Sequence, residues 1–560
     1  MKIPAKLSRF RSQSAKRALQ FAIGAVAISL LFWKLQFSTS AICCGDFDGY
    51  YHIKWARVLW DSIKGHSFVP AFPWLPLTTL NAAEYVDHHL LFHFFQIPFA
   101  MFADPRLGAK VASAIFSSLA VFACYWLLMR YRIRYPLLWL IALLGCSAPF
   151  LFRMNMAKAP PLAIIYLVIA IHLLFKKKYG PLLPLALIFA WTYDMFVLLL
   201  LATAVWVAVI GWTERRFEWR PLVWVSLGTL AGLVINPYFP KNLHLFYEHL
   251  RIKLTPSEFD VKVGSEWYPY YSWEFLANSV VACIAMVVGY IAFDPGDRKR
   301  AHYPVFFLLF STALMIMTAR WKRIAEYWPP FAVMFAAFSV QPWLEGARSF
   351  FTRLPPEVLE ELRPFLDREG ETAPTKQAEL QELIRISAVA LITVMLGVAL
   401  AFNLLATTRE IRASERHNYY KAGADWLRTN VPAGQVVFNT DWDDFPRLFY
   451  YDSTHYYVSG LDPSYLYDKN PALSQLYERI TLGKEDDPGP LIRDRFGARY
   501  VFSDNEHHDF FANARESGWF DIVYEDEECT IMHIRDEKAL TLEQTYEAPT
   551  GEAPASDNTP

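Results

Sequence analysis

The sequence predicts a polytopic α-helical membrane protein of about 11 transmembrane helices followed by a soluble C-terminal α/β domain. Three observations lead there. Of 560 residues, 54% are hydrophobic and only 19% are charged, which is low for a soluble chain. Apolar runs approaching the roughly 20 residues that cross a bilayer core recur between residues 18 and 405. Beyond residue 405 the pattern changes to short strand-like runs and amphipathic helices. A mean hydropathy of +0.16 fits membrane segments diluted by a sizeable water-soluble portion. The net charge of -1 lacks the basic surplus of a general nucleic-acid binder. The six cysteines show no zinc-type spacing, and the adjacent Cys43 and Cys44 are poorly disposed to pair.

The first apolar run is 18–37. Lys2, Lys6, Arg9, Arg11, Lys16 and Arg17 precede it with no acidic residue, which places the N-terminus in the cytoplasm. The run is long and no small-residue cleavage site follows it cleanly, so it reads as an anchor and not as a cleaved signal peptide. Further runs lie near 107–129, 136–152, 159–175, 181–212, 221–237, 275–293, 304–318, 325–341 and 386–405. The stretch 181–212 is long for one span and short for two. Read as a hairpin, it leaves the basic clusters at Arg130–Arg134, Lys176–Lys178, Arg215–Arg220 and Arg298–Arg300 on the cytoplasmic side. That reading makes 38–106, 241–274 and the turn 320–323 external, and 345–385 a charged cytoplasmic loop on or beside the membrane. Residues 1–405 then form the helical domain, with 38–106 as a large first external loop.

After residue 405, helical periodicity near 419–429 gives way to strand-like runs at 436–439, 456–460, 499–503, 521–524 and 530–534, with a helix at 471–482. Residues 406–546 are therefore expected to form an extracytoplasmic α/β domain, and the acidic, Pro- and Ala-rich tail 547–560 to be disordered.

Candidate chemistry lies at the expected outer side. The first loop carries Gly45-Asp46-Phe47-Asp48-Gly49-Tyr50-Tyr51-His52. Two carboxylates two residues apart suit a divalent cation or an activated acceptor group, and equally a capped loop opening a helix. The same loop holds Asp87-His88-His89 and His93, either an interfacial helix with histidines at headgroup level or part of a site. Val263-Gly264-Ser265-Glu266-Trp267-Tyr268-Pro269 offers a second carboxylate, with Glu258 as a competing helix-start residue. Arg153, Lys158, Arg320, Lys322 and Arg323 stand against the charge rule for an external face. They either snorkel to water or clamp phosphate, which guanidinium forks match. Acidic residues and outward-facing arginines at one bundle mouth point to a lipid-phosphate substrate. No Walker-type loop, Ser-His-Asp order or zinc motif competes.

At these residues the sequence resembles a GT-C glycosyltransferase, most specifically the catalytic subunit of oligosaccharyltransferases. Asp46-Phe47-Asp48-Gly49-Tyr50 resembles the first-loop motif whose aspartate, here Asp48, binds metal and acceptor. The segment ending at Pro269 resembles the later external-loop motif with its catalytic glutamate, here Glu266. Arg323, followed by Pro330, resembles the arginine opening a helix near the active site, and Asp441-Trp442-Asp443-Asp444 stands where the family has its acceptor-recognition motif. Two departures stand out. The second external loop reads Asn155-Met156-Ala157-Lys158-Ala159-Pro160 without the family's carboxylates, and Asp441 stands at the acceptor motif's first tryptophan.

The resemblance implies sugar transfer from a polyprenyl phosphate or pyrophosphate to an external protein, lipid or glycan, with inversion at the anomeric carbon. Asp48 and Glu266 are the expected catalytic and metal-holding residues, the metal being Mn or Mg. Asp46, His88, Arg153, Lys158, Arg320, Arg323, Trp442 and Asp443 are the expected substrate-binding residues. Lys158 replaces the cation, or the metal is held by fewer protein ligands. Arg323, helped by Arg320 or Arg153, is expected to stabilise the departing lipid phosphate. The expected setting is a prokaryotic cytoplasmic membrane, with membrane lipid as a further partner. A transporter of lipid-linked sugars and a non-catalytic scaffold are the rival readings. A transporter tends to show internal repeats and mid-span charges, and neither is evident.

Overall fold

The computed structural model describes residues 5–44, 47–254, 263–294, 296, 298, 301–344 and 373–538. Asp46, Glu258 and most of the 345–385 loop lie outside the described residues. The chain divides into two compact units. One comprises Met1–Pro70, Val86–Glu258 and Val263–His417; the other comprises Ala71–Tyr85, Phe259–Lys262 and Asn418–Pro560.

The first unit is helical, and each apolar run of the sequence lies on a helix or a broken pair of helices. Among the described residues, five helices are long and apolar enough to cross a membrane: Ser14–Gln36, Pro105–Arg130, Asp194–Glu214, His302–Arg320 and Ile386–Arg412. Two bent pairs raise the number to seven if each is one span. In the first, Pro136–Leu144 meets Ala148–Asn155 at 78°. The bend has a local cause. Gly145 ends one helix, the Ser147 hydroxyl caps the next by accepting the Phe150 N–H, and a proline sits in its first turn. The second pair, Ser272–Asn278 and Val280–Ala292, meets at 85°. Leu90–Ala100, Pro160–Phe175, Leu182–Thr192 and Arg220–Val234 are apolar but shorter. Among the described residues, the helices long enough to span therefore number five to seven, and the expected count of about 11 is not confirmed. The stretch 181–212 breaks at Tyr193, whose extended backbone separates Leu182–Thr192 from the helical turn at Asp194–Phe196.

Packing between helices in a membrane gains little from the hydrophobic effect and depends on close approach. Leu182–Thr192 and Arg220–Val234 show the device. Gly228 and Gly232, one turn apart, face the Leu183 and Leu187 carbonyls and Ala186 and Ala190. A Cβ on Gly228 would stand 2.2 Å from the Leu183 carbonyl oxygen. One continuous apolar core, including Trp206, Phe307, Trp328 and Phe335, fills the interior of this unit. Cys43 and Cys44, whose adjacency argued against pairing, are bonded to each other.

The second unit is built on a five-stranded sheet. Its strands are β1 (Val436–Asn439), β2 (Tyr456–Tyr457), β3 (Ala498–Asp504), β4 (Phe520–Glu525) and β5 (Cys529–Ile534). They lie in the order β2-β1-β3-β5-β4, with β1 parallel to β2 and β3, and β5 antiparallel to β3 and β4. Helices including Pro471–Thr481 and Pro488–Phe496 cover the sheet with Leu476, Ile480, Ile492 and Phe496. The segment Ala71–Tyr85, part of the first expected loop, belongs to this unit. The Tyr457 N–H donates to the Trp74 carbonyl (2.8 Å), the Trp74 indole donates to the Ser453 carbonyl (2.8 Å), and Trp74 packs edge-on to Phe449.

Candidate functional site

Within the first unit, a short helix and two helical turns bring four charged side chains, Arg153, Glu266, Arg323 and Glu326, into one network. Glu266 lies on the helical turn Ser265–Trp267, and Arg323 and Glu326 lie on the 3₁₀ turn Lys322–Glu326. Residues three apart on a 3₁₀ helix eclipse one another, so Arg323 and Glu326 point the same way. The two turns are tied together where the Lys322 N–H donates to the Tyr268 carbonyl (3.2 Å). Arg153, at the end of Ala148–Asn155, donates through Nη2 to Glu266 Oε2 (2.6 Å) and through Nε to Glu326 Oε1 (2.6 Å). Arg323 donates through Nη1 to the other oxygen of Glu266, and through Nη2 to the Tyr193 hydroxyl oxygen (2.6 Å). Glu266 is thus held between two guanidiniums. Burial pushes its pKa up, but Arg323, Arg153 and Lys158 more than offset this and hold the carboxyl well below its usual range.

Asp48 opens the helix Asp48–Lys64, where a carboxylate also favours the positive end of the helix dipole. Its Oδ2 lies 2.8 Å from Lys158 Nζ. The turn that carries Lys158 is fixed from several sides. The Ala157 N–H donates to the Cys43 carbonyl (3.3 Å), and the Ser113 hydroxyl donates to the Asn155 carbonyl (2.8 Å). Gly49 permits the approach, since a Cβ there would stand 3.0 Å from the Ala157 Cβ and 2.6 Å from Ile42 Cγ2.

The remaining expected residues fall in different places. His88 lines a cleft with Val86, Asp194, Asn236 and Asn242, and its ring centroid lies 4.0 Å from that of His89. Arg320 is exposed, with its guanidinium over the Trp321 ring. Trp442 and Asp443 belong to the second unit, in the segment after β1. Because β1 and β3 are adjacent and parallel, their C-terminal ends bring Asp441–Asp444 beside Asp504 and His507. This is the edge at which open parallel sheets bind ligands. Burial raises the Asp441 pKa, and burial with the charges of Asp441, Asp443 and Asp504 raises that of Asp444 well above the usual value.

Sequence reasoning did not single out Glu326, Tyr193 or His52 as working residues, and it left Asp87 and His93 open between an interfacial helix and part of a site. Glu326 had a visible signal, a lone acid at the head of an apolar run three residues after Arg323.

The side chains of the site were tested against the divalent metal that the resemblance implies. Among the described residues, no three His, Cys, Asp or Glu side chains gather as metal ligands. Asp48 faces Lys158, and Glu266 and Glu326 face two arginines. Three anions meet three cations, so the described residues offer no surplus negative charge to a cation. They do not fit a metal centre built on Asp48 and Glu266.

No protein-family model and no curated protein sequence matches the chain. Solved structures do match. The apo crystal structure of the Archaeoglobus fulgidus oligosaccharyltransferase is similar over 89% of this chain and 73% of that one, at 12% identity and a TM-score of 0.58. The same enzyme tethered to an acceptor peptide containing the NVT sequon is similar over 91% and 74%, at 10% identity and a TM-score of 0.54. ArnT from Cupriavidus metallidurans bound to undecaprenyl phosphate is similar over 92% of this chain and 98% of that one, at 12% identity and a TM-score of 0.52. At such identities the likeness carries architecture alone: the chain has a GT-C-like fold, shared with the Archaeoglobus fulgidus oligosaccharyltransferase and with ArnT.

Proposed function

We propose that the protein is a membrane glycosyltransferase that moves a sugar or oligosaccharide from a polyprenyl phosphate or pyrophosphate carrier to an extracytoplasmic acceptor. The observation that carries this reading is the convergence of Arg153, Arg323 and Lys158 on Glu266 and Asp48 within a GT-C fold. Breaking a glycosyl–phosphate bond sends negative charge onto the phosphate, and donors already aimed at that charge lower the barrier most. Arg323 suits the task, since its buried Nε–H has no partner among the described residues and is free to meet a phosphate oxygen. Glu266 and Glu326 keep the guanidiniums fixed before substrate arrives. Lys158 adds a third positive charge on the Asp48 side, and His88, in its cleft, is a hydrogen-bond partner for sugar or leaving group. In the second unit, Trp442 and Asp443 are the residues proposed to bind the acceptor. ArnT bound to undecaprenyl phosphate and the peptide-tethered oligosaccharyltransferase support the kinds of donor and acceptor. The basic loops support an orientation with the C-terminal domain outside, and the membrane proposed is a prokaryotic cytoplasmic one.

The test is release of lipid phosphate from a panel of polyprenyl-linked sugars by the purified protein, beside Asp48→Asn and Glu266→Gln. Turnover by wild type, lost in both variants, is the expected result. A folded protein that binds lipid-linked sugar but turns over no donor would be a scaffold or transporter.

A further inference from the structure

A second polar cluster lies in the same unit, and the charge network above does not use it. Asp87 is buried to 2% exposure and accepts three hydrogen bonds: from the Trp55 indole (2.9 Å), the His89 N–H (3.0 Å) and His93 Nδ1 (2.8 Å). Burial pushes its pKa up, but His93 and Trp55 more than offset this and hold it below its usual value. An ionised carboxylate can only accept, so His93 Nδ1 carries a hydrogen. His93 Nε2 in turn lies 2.8 Å from His52 Nδ1. With Nδ1 as the donor nitrogen of His93, its Nε2 serves as the acceptor, and the shared hydrogen belongs to His52 Nδ1. That fixes the tautomer of His52 and leaves its Nε2 as an outward lone pair, for which the described residues supply no partner.

His52 sits one helical turn after Asp48, on the same face of Asp48–Lys64. Its ring is framed by Tyr51, His89 and Phe92, and the charge of Lys158 reaches it from the neighbouring turn. His88, which lines the cleft, lies with its ring tilted 51° against that of His89, and Arg323 acts electrostatically on His89. Burial, then His93, Lys158 and His88, hold His52 well below the usual imidazole pKa, so it rests neutral. The carboxylates nearby are already engaged, Asp48 by Lys158 and Glu266 by two arginines.

We propose that Asp87, His93 and His52 form a proton relay whose outer nitrogen, His52 Nε2, takes the proton of a hydroxyl acceptor during sugar transfer. The proposal rests on the glycosyltransferase reading above. The acceptor oxygen bonds to the anomeric carbon as the bond from that carbon to the phosphate oxygen breaks. The electron pair leaves with the lipid phosphate, and the hydroxyl proton passes to His52 Nε2. The Nδ1 hydrogen of His52 then moves to His93 Nε2, so the positive charge comes to rest beside Asp87. Both hydrogen bonds serve before and after the step, and neither side chain has to move. One lone pair matches one O–H. A carboxamide presents two N–H groups, and the two carboxylates that would take a second one each hold a basic partner. His52 is the catalytic base of this scheme; His93 and Asp87 are positioning residues.

The experiment uses the full chain in lipid nanodiscs with a polyprenyl-phosphate sugar and two acceptor sets, alcohols and carboxamides, with lipid-phosphate release and acceptor labelling followed separately. Transfer to alcohols only is expected, with an acid limb of the wild-type pH profile whose midpoint lies below 6.5. General-base loss costs about 10²–10⁴ in rate. His52→Asn, which keeps a polar atom near the Nδ1 position, should lose transfer to that extent. His52→Ala should recover with added imidazole, which a merely structural role would not allow, and His93→Gln should move the acid limb. A wild type that releases no lipid phosphate from any donor overturns the glycosyltransferase reading and the relay with it. Turnover with a fully active His52→Asn, or transfer to carboxamides alone, overturns the relay and leaves that reading standing.

Discussion

Lys158 Nζ lies 2.8 Å from Asp48 Oδ2, so a fixed ammonium stands where the oligosaccharyltransferase-like pattern calls for a metal-binding carboxylate. Turnover is therefore expected to survive exhaustive chelation unchanged. Lys158→Met should lower it by about 100-fold, the scale of losing one donor aimed at developing charge. Activity that disappears on chelation and returns with Mn²⁺ or Mg²⁺ would contradict this assignment.

Arg323 spans two acceptors, the Glu266 carboxylate and the Tyr193 hydroxyl. A lysine is a point charge without a planar fork and cannot hold both. Arg323→Lys should keep donor binding but lower kcat by about tenfold or more, with Tyr193→Phe showing a smaller loss. Equal effects on KM and none on kcat would assign Arg323 to ground-state binding only.

Gly228 tests the helix packing. Any side chain there meets the Leu183 carbonyl oxygen at 2.2 Å, and that is backbone which cannot swing aside. Gly228→Val should lower the Tm of the purified protein, at an overpacking cost of about 1–3 kcal/mol. Gly180→Ala, where no atom lies within 4 Å of an added Cβ, serves as the control.

In the second unit, His507 Nδ1 lies 2.6 Å from Asp504 Oδ1. Burial lowers the His507 pKa, but Asp504 outweighs it and the net shift is upward from 6.5. Burial raises the Asp504 pKa, but His507 outweighs it and the net shift is downward from 3.8. The histidine's contribution to stability is complete below 6.5 and lost as pH rises through its folded value. The aspartate's is complete above 3.8 and lost as pH falls through its folded value. Corrected for intrinsic rates, hydrogen-exchange protection at the end of β3 should peak between 3.8 and 6.5. His507→Asn should flatten the alkaline side of that profile.

Much of the fold was legible because it is local. Runs such as 107–129 and 304–318 needed only apolar length, and they are the helices Pro105–Arg130 and His302–Arg320. Strands β1, β3 and β5 followed from alternation and β-branched residues. The hairpin reading of 181–212 implied a break, but its position at Tyr193 was not legible, since a single extended residue leaves no trace in a hydropathy window. Nor was the assignment of Ala71–Tyr85 to the second unit, which rests on Trp74 meeting Ser453 and Phe449 across the sequence. For the site, residue type and loop position drew attention to Asp48, Glu266, Arg153, Lys158 and Arg323. Which cation holds which carboxylate is a tertiary fact. His52 and His93 stood in quoted segments, but only the packing of Asp48–Lys64 on Leu90–Ala100 makes them neighbours.

The measurement that tests the central claim most directly is single-turnover release of lipid phosphate from a polyprenyl-phosphate sugar, comparing wild type, Glu266→Gln and Arg323→Ala. Arg57→Ala, a half-buried arginine paired with Asp61 and outside the charge network, is the control. Release by wild type and the control, with a loss of about 100-fold or more in the other two, is the expected result. Release that is unaffected by both site substitutions, or absent from a wild type that binds the donor, would contradict the account.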